Sequence, residues 1–204
     1  MKSLLLAGLL LVHSASGLAA NSILVYGDSL SAAYGIAPEA GWVAKLGERL
    51  KQEKLDYTVA NASISGETTA GGAARIRQAL LEHKPDILIV ELGANDGLRG
   101  QPTARMKANL SSIVQAAKRE RSRVLLVGMR LPPNYGAQYG DAFVRAFADV
   151  AREQRVPLVP FLLEGMADKR ELFQEDNFHP TAEAQAVLLD NVWAKLRPML
   201  ARSQ

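Results

Sequence analysis

The chain of 204 residues contains no cysteine. This absence excludes disulfide bonds and a thiol nucleophile, so the fold must be stabilised by packing alone. Histidine is also scarce and occurs only as His13, His83 and His179. With no thiolate ligands and so few imidazoles, the sequence does not predict a metal site.

No charge of one sign predominates, since the chain has 24 lysine and arginine residues and 21 aspartate and glutamate residues. The basic residues clustered at 118–123 fall at the predicted end of a helix and have no aromatic residues between them. This pattern is typical of a solvated helix terminus, and we expect no nucleic-acid partner.

Three motifs of other α/β proteins are missing. No predicted strand is followed by G-x-G-x-x-G or by G-x-x-x-x-G-K-[ST], and residues 66–72 lack the required lysine. A nucleotide-binding α/β protein is therefore disfavoured. The G-x-S-x-G turn of α/β-hydrolases is also absent, because Ser31 occupies the position of its second glycine.

The chain has one long apolar run, residues 3–12, which follows a basic start and precedes a series of small residues. The run is too short to cross a bilayer, so residues 1–20 are predicted to be a secretory signal peptide, cleaved after Ala19 or Ala20. A signal retained as a membrane anchor is the alternative. We expect export to the periplasm or secretion, and no stable membrane insertion of the single domain formed by residues 21–204.

Short β-rich apolar runs alternate with helical periodicity along this domain. Strands are predicted at residues 23–26, 57–61, 87–92, 124–128 and 156–161. Apolar residues recur at helical spacing between them, as in Trp42/Leu46/Leu50 and Ala73/Ile76/Leu80. Strands that are apolar throughout belong to sheets covered on both faces, so we predict an α/β fold, a three-layer αβα sandwich with a five-stranded parallel sheet.

Polar residues follow three of the predicted strands. Ser29 follows the first strand, residues 61–66 follow the second, and residues 93–97 follow the third. Carboxyl ends of parallel strands meet at one edge of the sheet, where ligands bind in such folds. Each segment alone is a weak signal, but together they predict a single crevice.

His179 lies three residues after Asp176, near the other end of the chain. Imidazole changes charge near neutral pH, so it is suited to deprotonate a hydroxyl while a carboxylate holds its tautomer. We predict a triad in which Ser29 is the nucleophile, His179 the base and Asp176 its partner. Pro180 is predicted to lie in the first turn of the last helix and to fix the turn before it.

The oxyanion formed when serine attacks a carbonyl needs hydrogen-bond donors. The candidates are the Ser29 backbone N–H, the Gly66 backbone N–H and the Asn95 side-chain amide. Glycine at position 66 permits close approach because it has no Cβ atom.

The chain resembles the SGNH (GDSL-type) hydrolase family in four blocks that occur in the family's order. They are Gly-Asp-Ser-Leu-Ser around Ser29, Ser-Gly-Glu-Thr around Gly66, Gly-Ala-Asn-Asp around Asn95, and Asp-Asn-Phe-His-Pro at residues 176–180. Longer strings, such as residues 61–66, 91–100 and 130–136, resemble a subgroup of bacterial exported enzymes with acyl-CoA thioesterase, lysophospholipase and arylesterase activity.

The resemblance implies a flavodoxin-like fold, hydrolysis of thioesters and carboxylic esters through an acyl-serine, and no metal or cofactor. Two segments depart from the subgroup. Ala94 replaces a glycine, and Asn177-Phe178 replaces Gly-Ile or Gly-Val before the histidine. Because Phe178 is bulky, we expect it to narrow the crevice and to influence the preferred acyl-chain length.

The substrate is expected to be a small acyl ester or thioester, bound by a monomer. Residues 131–136 are too rich in proline for a helix. They are predicted to line an apolar groove, with Leu98, Pro133, Tyr135 and Phe178 as binding residues and with Phe161, Leu162, Leu163 and Met166 as residues of either groove or core. Alternatives are a carbohydrate O-deacetylase of the same family and a catalytically inactive periplasmic lipid-binding or interaction protein.

Overall fold

The structure is a computed structural model that describes residues 21–200. The predicted signal peptide, residues 1–20, lies outside the described residues. Five parallel strands form the central sheet in the order β2-β1-β3-β4-β5. The strands are β1 (Asn21–Gly27), β2 (Tyr57–Asn61), β3 (Ile87–Glu91), β4 (Arg123–Val127) and β5 (Leu158–Val159).

Within residues 21–200, six α-helices connect or follow the strands. They are α1 (Trp42–Gln52), α2 (Thr69–His83), α3 (Ala94–Leu98), α4 (Thr103–Arg119), α5 (Ala137–Gln154) and α6 (Gln185–Leu196). Within the described part of the chain, no helix combines the length and the apolar character needed to cross a membrane.

Both faces of the sheet are buried under helices. Because successive side chains of a strand point to opposite faces, alternate residues of a strand belong to two separate hydrophobic cores. Ile23 and Val25 of β1 pack with α1 and α6, while Leu24 and Tyr26 pack with α2, α4 and α5. The strand β3 divides in the same way. The predicted three-layer αβα sandwich is therefore confirmed, and its strand order is that of the flavodoxin-like folds.

The last strand is shorter than the sequence predicted. Residues 156–161 were expected to be extended, but β5 contains only Leu158 and Val159. Pro157 and Pro160 flank these two residues and have no N–H group to donate to the sheet. Because β5 is an edge strand, only its β4 side is paired, and the ladder ends at the two prolines.

Candidate active site

The site lies where the strand order reverses, between β1 and β3. In open parallel sheets, this point leaves a crevice at the carboxyl ends of the strands. Ser29 follows β1, and Asn95 lies in the first turn of α3, directly after β3. Asn95 Nδ2 donates a hydrogen bond to Asp28 Oδ2 at 3.1 Å, so the two loops are joined in the crevice.

Ser29, His179 and Asp176 form one hydrogen-bonded chain of side chains. His179 Nε2 lies 2.9 Å from Ser29 Oγ, and His179 Nδ1 lies 2.6 Å from Asp176 Oδ2. When Nδ1 carries its proton toward the carboxylate, Nε2 is free to accept a proton from the hydroxyl. The arrangement meets the geometric requirement for a serine nucleophile with an oriented base.

A tight turn carries Asp176 and His179. Asp176 Oδ1 accepts the N–H of Phe178 at 2.9 Å and that of His179 at 3.0 Å. Asn177 has a φ of 63°, in the left-handed region that favours glycine and in which asparagine is better tolerated than most residues. Asparagine therefore preserves the turn at a position where the SGNH subgroup usually has glycine.

The hydrogen bonds of this turn determine the charge of Asp176. Partial burial raises the pKa of Asp176, but donation by the His179 N–H, the imidazole and the Phe178 N–H outweighs it and lowers the pKa to about 2. Because this is below the ordinary value of 3.8, ionised Asp176 stabilises the fold above about pH 4. That contribution is lost as the pH falls toward 2, so Asp176 is a carboxylate throughout the neutral range.

The turn is not held by the last helix, and the prediction for Pro180 is wrong. The helix α6 begins at Gln185, whereas Pro180 forms an antiparallel bridge with Phe173. Gln174 reinforces this bridge, because its N–H donates to His179 O at 2.8 Å and its side chain donates to Pro180 O at 3.0 Å. A short strand-like pairing therefore positions the imidazole, and the sequence pattern, which predicted a helix start at Pro180, does not reveal it.

Two of the three predicted oxyanion donors border the crevice directly. Ser29 and Asn95 line it, whereas Gly66 lies in the loop after β2 and is not among the lining residues. Gly66 has a φ of 80°, and its carbonyl accepts a hydrogen bond from Arg99 Nη2 at 3.1 Å. Arg99 thus connects the Gly66 loop to the end of α3.

The crevice opens into a cavity of about 640 Å³. All four predicted binding residues, Leu98, Pro133, Tyr135 and Phe178, line it, and Phe161 and Leu163 do so as well. Of the residues predicted for either groove or core, Leu162 and Met166 belong to the core, where they are fully buried in the cluster that includes α6.

Two walls of the cavity are joined by a hydrogen bond. Tyr135 lies in a 3₁₀ turn at Pro133–Tyr135, and its hydroxyl donates to Leu98 O at 3.1 Å. The proline-rich segment is therefore fixed against the end of α3. Phe178 forms part of the opposite rim and is 51% exposed, so its ring is available to contact a substrate.

Sequence reasoning missed three residues that contact the site. Tyr34 packs its ring 4.5 Å from the His179 ring, measured between centroids. Glu91 and Ser31 are buried beneath the Ser29 loop and are joined by a hydrogen bond of 2.7 Å. The available signal was an acidic residue at the end of the otherwise apolar strand Ile87–Glu91.

The other described histidine is remote from the crevice. His83 ends α2 and lies beside Ser22 and Pro85, at the amino-terminal edge of the sheet. Among residues 21–200, no group of three or more histidine, aspartate or glutamate side chains is arranged to hold a metal ion.

Relatives whose names describe ester or thioester hydrolysis match nearly the whole chain. The esterase TesA of Pseudomonas aeruginosa is 49% identical over 98% of this chain and 100% of the relative. An arylesterase of Vibrio mimicus is 42% identical over 90% of this chain and 92% of its own. The thioesterase 1/protease 1/lysophospholipase L1 of Escherichia coli strain K12 is 39% identical over 89% of this chain and 86% of its own.

Solved structures agree with these matches. The crystal structure of TesA superposes with a TM-score of 0.87 at 49% identity, covering 88% of this chain and 100% of that one. A second match is the structure of the psychrotrophic esterase EstA from Pseudoalteromonas sp. inhibited by monoethylphosphonate. It superposes with a TM-score of 0.84 at 37% identity, covering 88% of this chain and 98% of that one. The family model matches residues 25–187. The chain therefore belongs to the GDSL-like lipase/acylhydrolase family.

Proposed function

We propose that this protein is an exported serine hydrolase that cleaves carboxylic esters and acyl thioesters through an acyl-serine intermediate. The observation that carries the proposal is the hydrogen-bonded chain from Asp176 through His179 to Ser29, which ends at the floor of an apolar cavity. The family membership and the relatives named esterase, arylesterase and thioesterase support the same reaction.

In this proposal, Ser29 Oγ attacks the substrate carbonyl while His179 Nε2 takes its proton. The carbonyl π bond opens to an oxyanion, which accepts hydrogen bonds from the Ser29 N–H, the Gly66 N–H and the Asn95 amide. The intermediate collapses to the acyl-serine as His179 returns the proton to the leaving alcohol or thiol. Water then attacks the acyl-serine with His179 as base, which releases the acid and restores Ser29.

The cavity supports an acyl chain as the part of the substrate that is recognised. Leu98, Tyr135, Phe161 and Leu163 contribute apolar surface to its walls, and Arg130 is a charged residue of the lining, with its guanidinium over the Phe161 ring. Each methylene buried there contributes about 0.8 kcal/mol, so longer chains gain affinity until the cavity is filled. A carbohydrate O-deacetylase would not show this dependence, because its acyl group is always acetyl.

Export and a monomeric state also belong to the proposal. The apolar run at residues 3–12 supports export, and every proposed catalytic group comes from a single chain. Cell fractionation of the full chain and gel filtration of the processed protein measure these two properties. A cytoplasmic pool of unprocessed chain, or a dimer, would contradict them.

A long-chain phosphonate p-nitrophenyl ester should inactivate the enzyme with a stoichiometry of one and add its mass at Ser29. The reason is that His179 activates this hydroxyl for attack on phosphorus and p-nitrophenolate leaves. Intact mass and peptide fragmentation measure the adduct, with Ser29→Ala as the control that must stay unmodified. The relative EstA was crystallised with monoethylphosphonate as inhibitor.

The same preparation should keep its activity in EDTA. Activity that EDTA removed and zinc or manganese restored, without an adduct on Ser29, would overturn the acyl-serine mechanism. An inactive protein that bound fatty acids and took up no phosphonate would instead favour the lipid-binding alternative.

Tyr135→Phe should raise the KM for octanoyl esters about three- to tenfold and leave acetyl esters within about twofold. The lost hydrogen bond to Leu98 O contributes about 0.5–1.5 kcal/mol to holding the two cavity walls together. Tyr139→Phe is the matched control, because that hydroxyl donates to Gln101 O at 2.7 Å and does not line the cavity. Equal changes for acetyl and octanoyl esters would show that this wall does not bind the chain.

A further inference from the structure

The strand β3 ends in a carboxylic acid, Glu91, that no cation of residues 21–200 neutralises. Glu91 is 3% exposed, and it forms no ion pair with any lysine, arginine or histidine of residues 21–200. The other residues of β3 are apolar and buried. A buried carboxyl group without a cation is costly, so its retention in this strand calls for a local function.

Glu91 contacts the serine loop on both sides of Ser29. Its Oε2 accepts a hydrogen bond from Ser31 Oγ at 2.7 Å and a longer one from the Asp28 N–H at 3.4 Å. Gly27 makes this approach possible, because a Cβ atom at that position would lie 2.7 Å from Glu91 Oε2. The carboxyl group therefore sits directly beneath the turn that presents the serine hydroxyl.

The same network reaches the Asn95 amide. The carboxylate of Asp28 accepts the Leu30 N–H at 3.1 Å through Oδ1 and the Asn95 amide at 3.1 Å through Oδ2. Asp28 is fully buried, so the Asn95 amide has one fixed partner that determines which way it points. Any shift of Asp28 is therefore transmitted to an amide that faces the crevice.

We propose that Glu91 is a positioning residue of the active site, which holds the Ser29 loop through Ser31 and the Asp28 N–H and, through Asp28, directs the Asn95 amide. The inference rests on the proposed acyl-serine function. It adds a residue that does not touch the substrate and that acts only through its neighbours.

Glu91 does this as a neutral acid. Burial, and then the charge of Asp28, raises the pKa of Glu91 well above its ordinary value, against the effect of the Ser31 hydroxyl. Burial also raises the pKa of Asp28, to about 6, with Leu30, Asn95 and His179 opposing and Asp96 adding to the rise. Two adjacent buried carboxyl groups retain one proton near neutral pH, and Glu91 holds it.

A neutral acid has a donor and an acceptor, which a glutamine amide reproduces. Glu91→Gln should therefore keep kcat within about threefold, whereas Glu91→Leu should lower kcat about 10- to 100-fold with KM within about twofold. To obtain kcat, the rate of p-nitrophenyl butyrate hydrolysis is divided by the concentration of active sites that the phosphonate titrates. Unfolded protein is not titrated, so a loss of folded protein does not lower the measured kcat.

Ser31→Ala tests the same contact if Glu91→Leu does not fold. Its matched control is Ser122→Ala, because Ser122 is also buried and donates a hydrogen bond of 2.6 Å, to Pro85 O, far from the crevice. We expect kcat per titrated site to fall at least about threefold in Ser31→Ala and less than about twofold in Ser122→Ala, although both lose stability. Equal kcat values in the two variants would overturn the proposal.

A second measurement tests the route through Asn95. Glu91→Leu should lower kcat by a smaller factor in the Asn95→Ala background than in the wild type, because the amide that Glu91 positions has been removed. Full additivity of the two effects would contradict the proposed route. Failure of the acyl-serine mechanism looks different, since Ser29 would then take up no phosphonate in any variant.

The proton on Glu91 has a signature in the pH dependence of stability. Above the ordinary value of 4.5, the unfolded chain ionises Glu91 while the folded protein keeps it neutral, so the wild type loses stability with rising pH. Glu91→Gln lacks this loss, and its urea midpoint should exceed that of the wild type by more at pH 8 than at pH 5. A difference that stayed constant or shrank with rising pH would show that Glu91 is ionised and would overturn the neutral-acid assignment.

Discussion

Ser29→Ala and His179→Ala should each lower kcat for p-nitrophenyl butyrate by about 10⁴-fold or more. The nucleophile and base lie 2.9 Å apart, and neither accomplishes the proton transfer without the other. The double variant should therefore be little slower than either single one, since residues that act as a unit do not contribute additively. Discontinuous assays with long incubation at high enzyme concentration measure the residual rates.

His83→Ala is the matched control for the histidine. This residue lies at the end of α2, outside the crevice, so its removal should leave kcat and KM within about twofold of the wild type. A large loss of activity in His83→Ala, or substantial turnover in His179→Ala, would overturn the assignment of the base. Circular dichroism confirms that each variant is folded.

The fold was predictable because its strongest physical signals are local. The apolar strands β1 and β3 are buried on both faces, which the uninterrupted runs of branched and aliphatic residues require. The errors occur where local pattern and pairing disagree. Pro157 and Pro160 flank the short ladder of β5, and Pro180 pairs with Phe173 instead of entering the last helix, a pairing that no periodicity reveals.

The residues of the proposed triad were predictable because each occurs in a short motif at a loop. Glu91 and Ser31 were not, because the role proposed for them depends on a register that places Glu91 opposite Gly27 on the neighbouring strand. The sequence left Leu162 and Met166 between groove and core, because apolar residues near a cavity belong to its wall or to the core according to side-chain direction, and the structure places both in the core. Motifs indicate the proposed reacting groups, whereas the contacts beneath them are visible only in the tertiary structure.

The side-chain amide of Asn95 is the second group whose removal should have a large effect. Asn95→Ala should lower kcat by about 100-fold or more and leave KM nearly unchanged, because the amide acts mainly on charge that develops in the transition state. The variant also leaves buried Asp28 with one donor fewer, so its free energy of unfolding should fall by about 1–3 kcal/mol. Urea unfolding measures this loss separately from the kinetic effect.

Asn109→Ala is the matched control, because Asn109 also donates its amide to a buried group, the Thr69 hydroxyl at 3.1 Å, but lies outside the crevice. It should lose stability and keep kcat per phosphonate-titrated site within about twofold. If Asn95→Ala instead raised KM and kept kcat, Asn95 would bind the ground-state substrate. The oxyanion would then be stabilised by the backbone N–H groups of Ser29 and Gly66 alone, and the network through Asp28 would orient a substrate-binding amide.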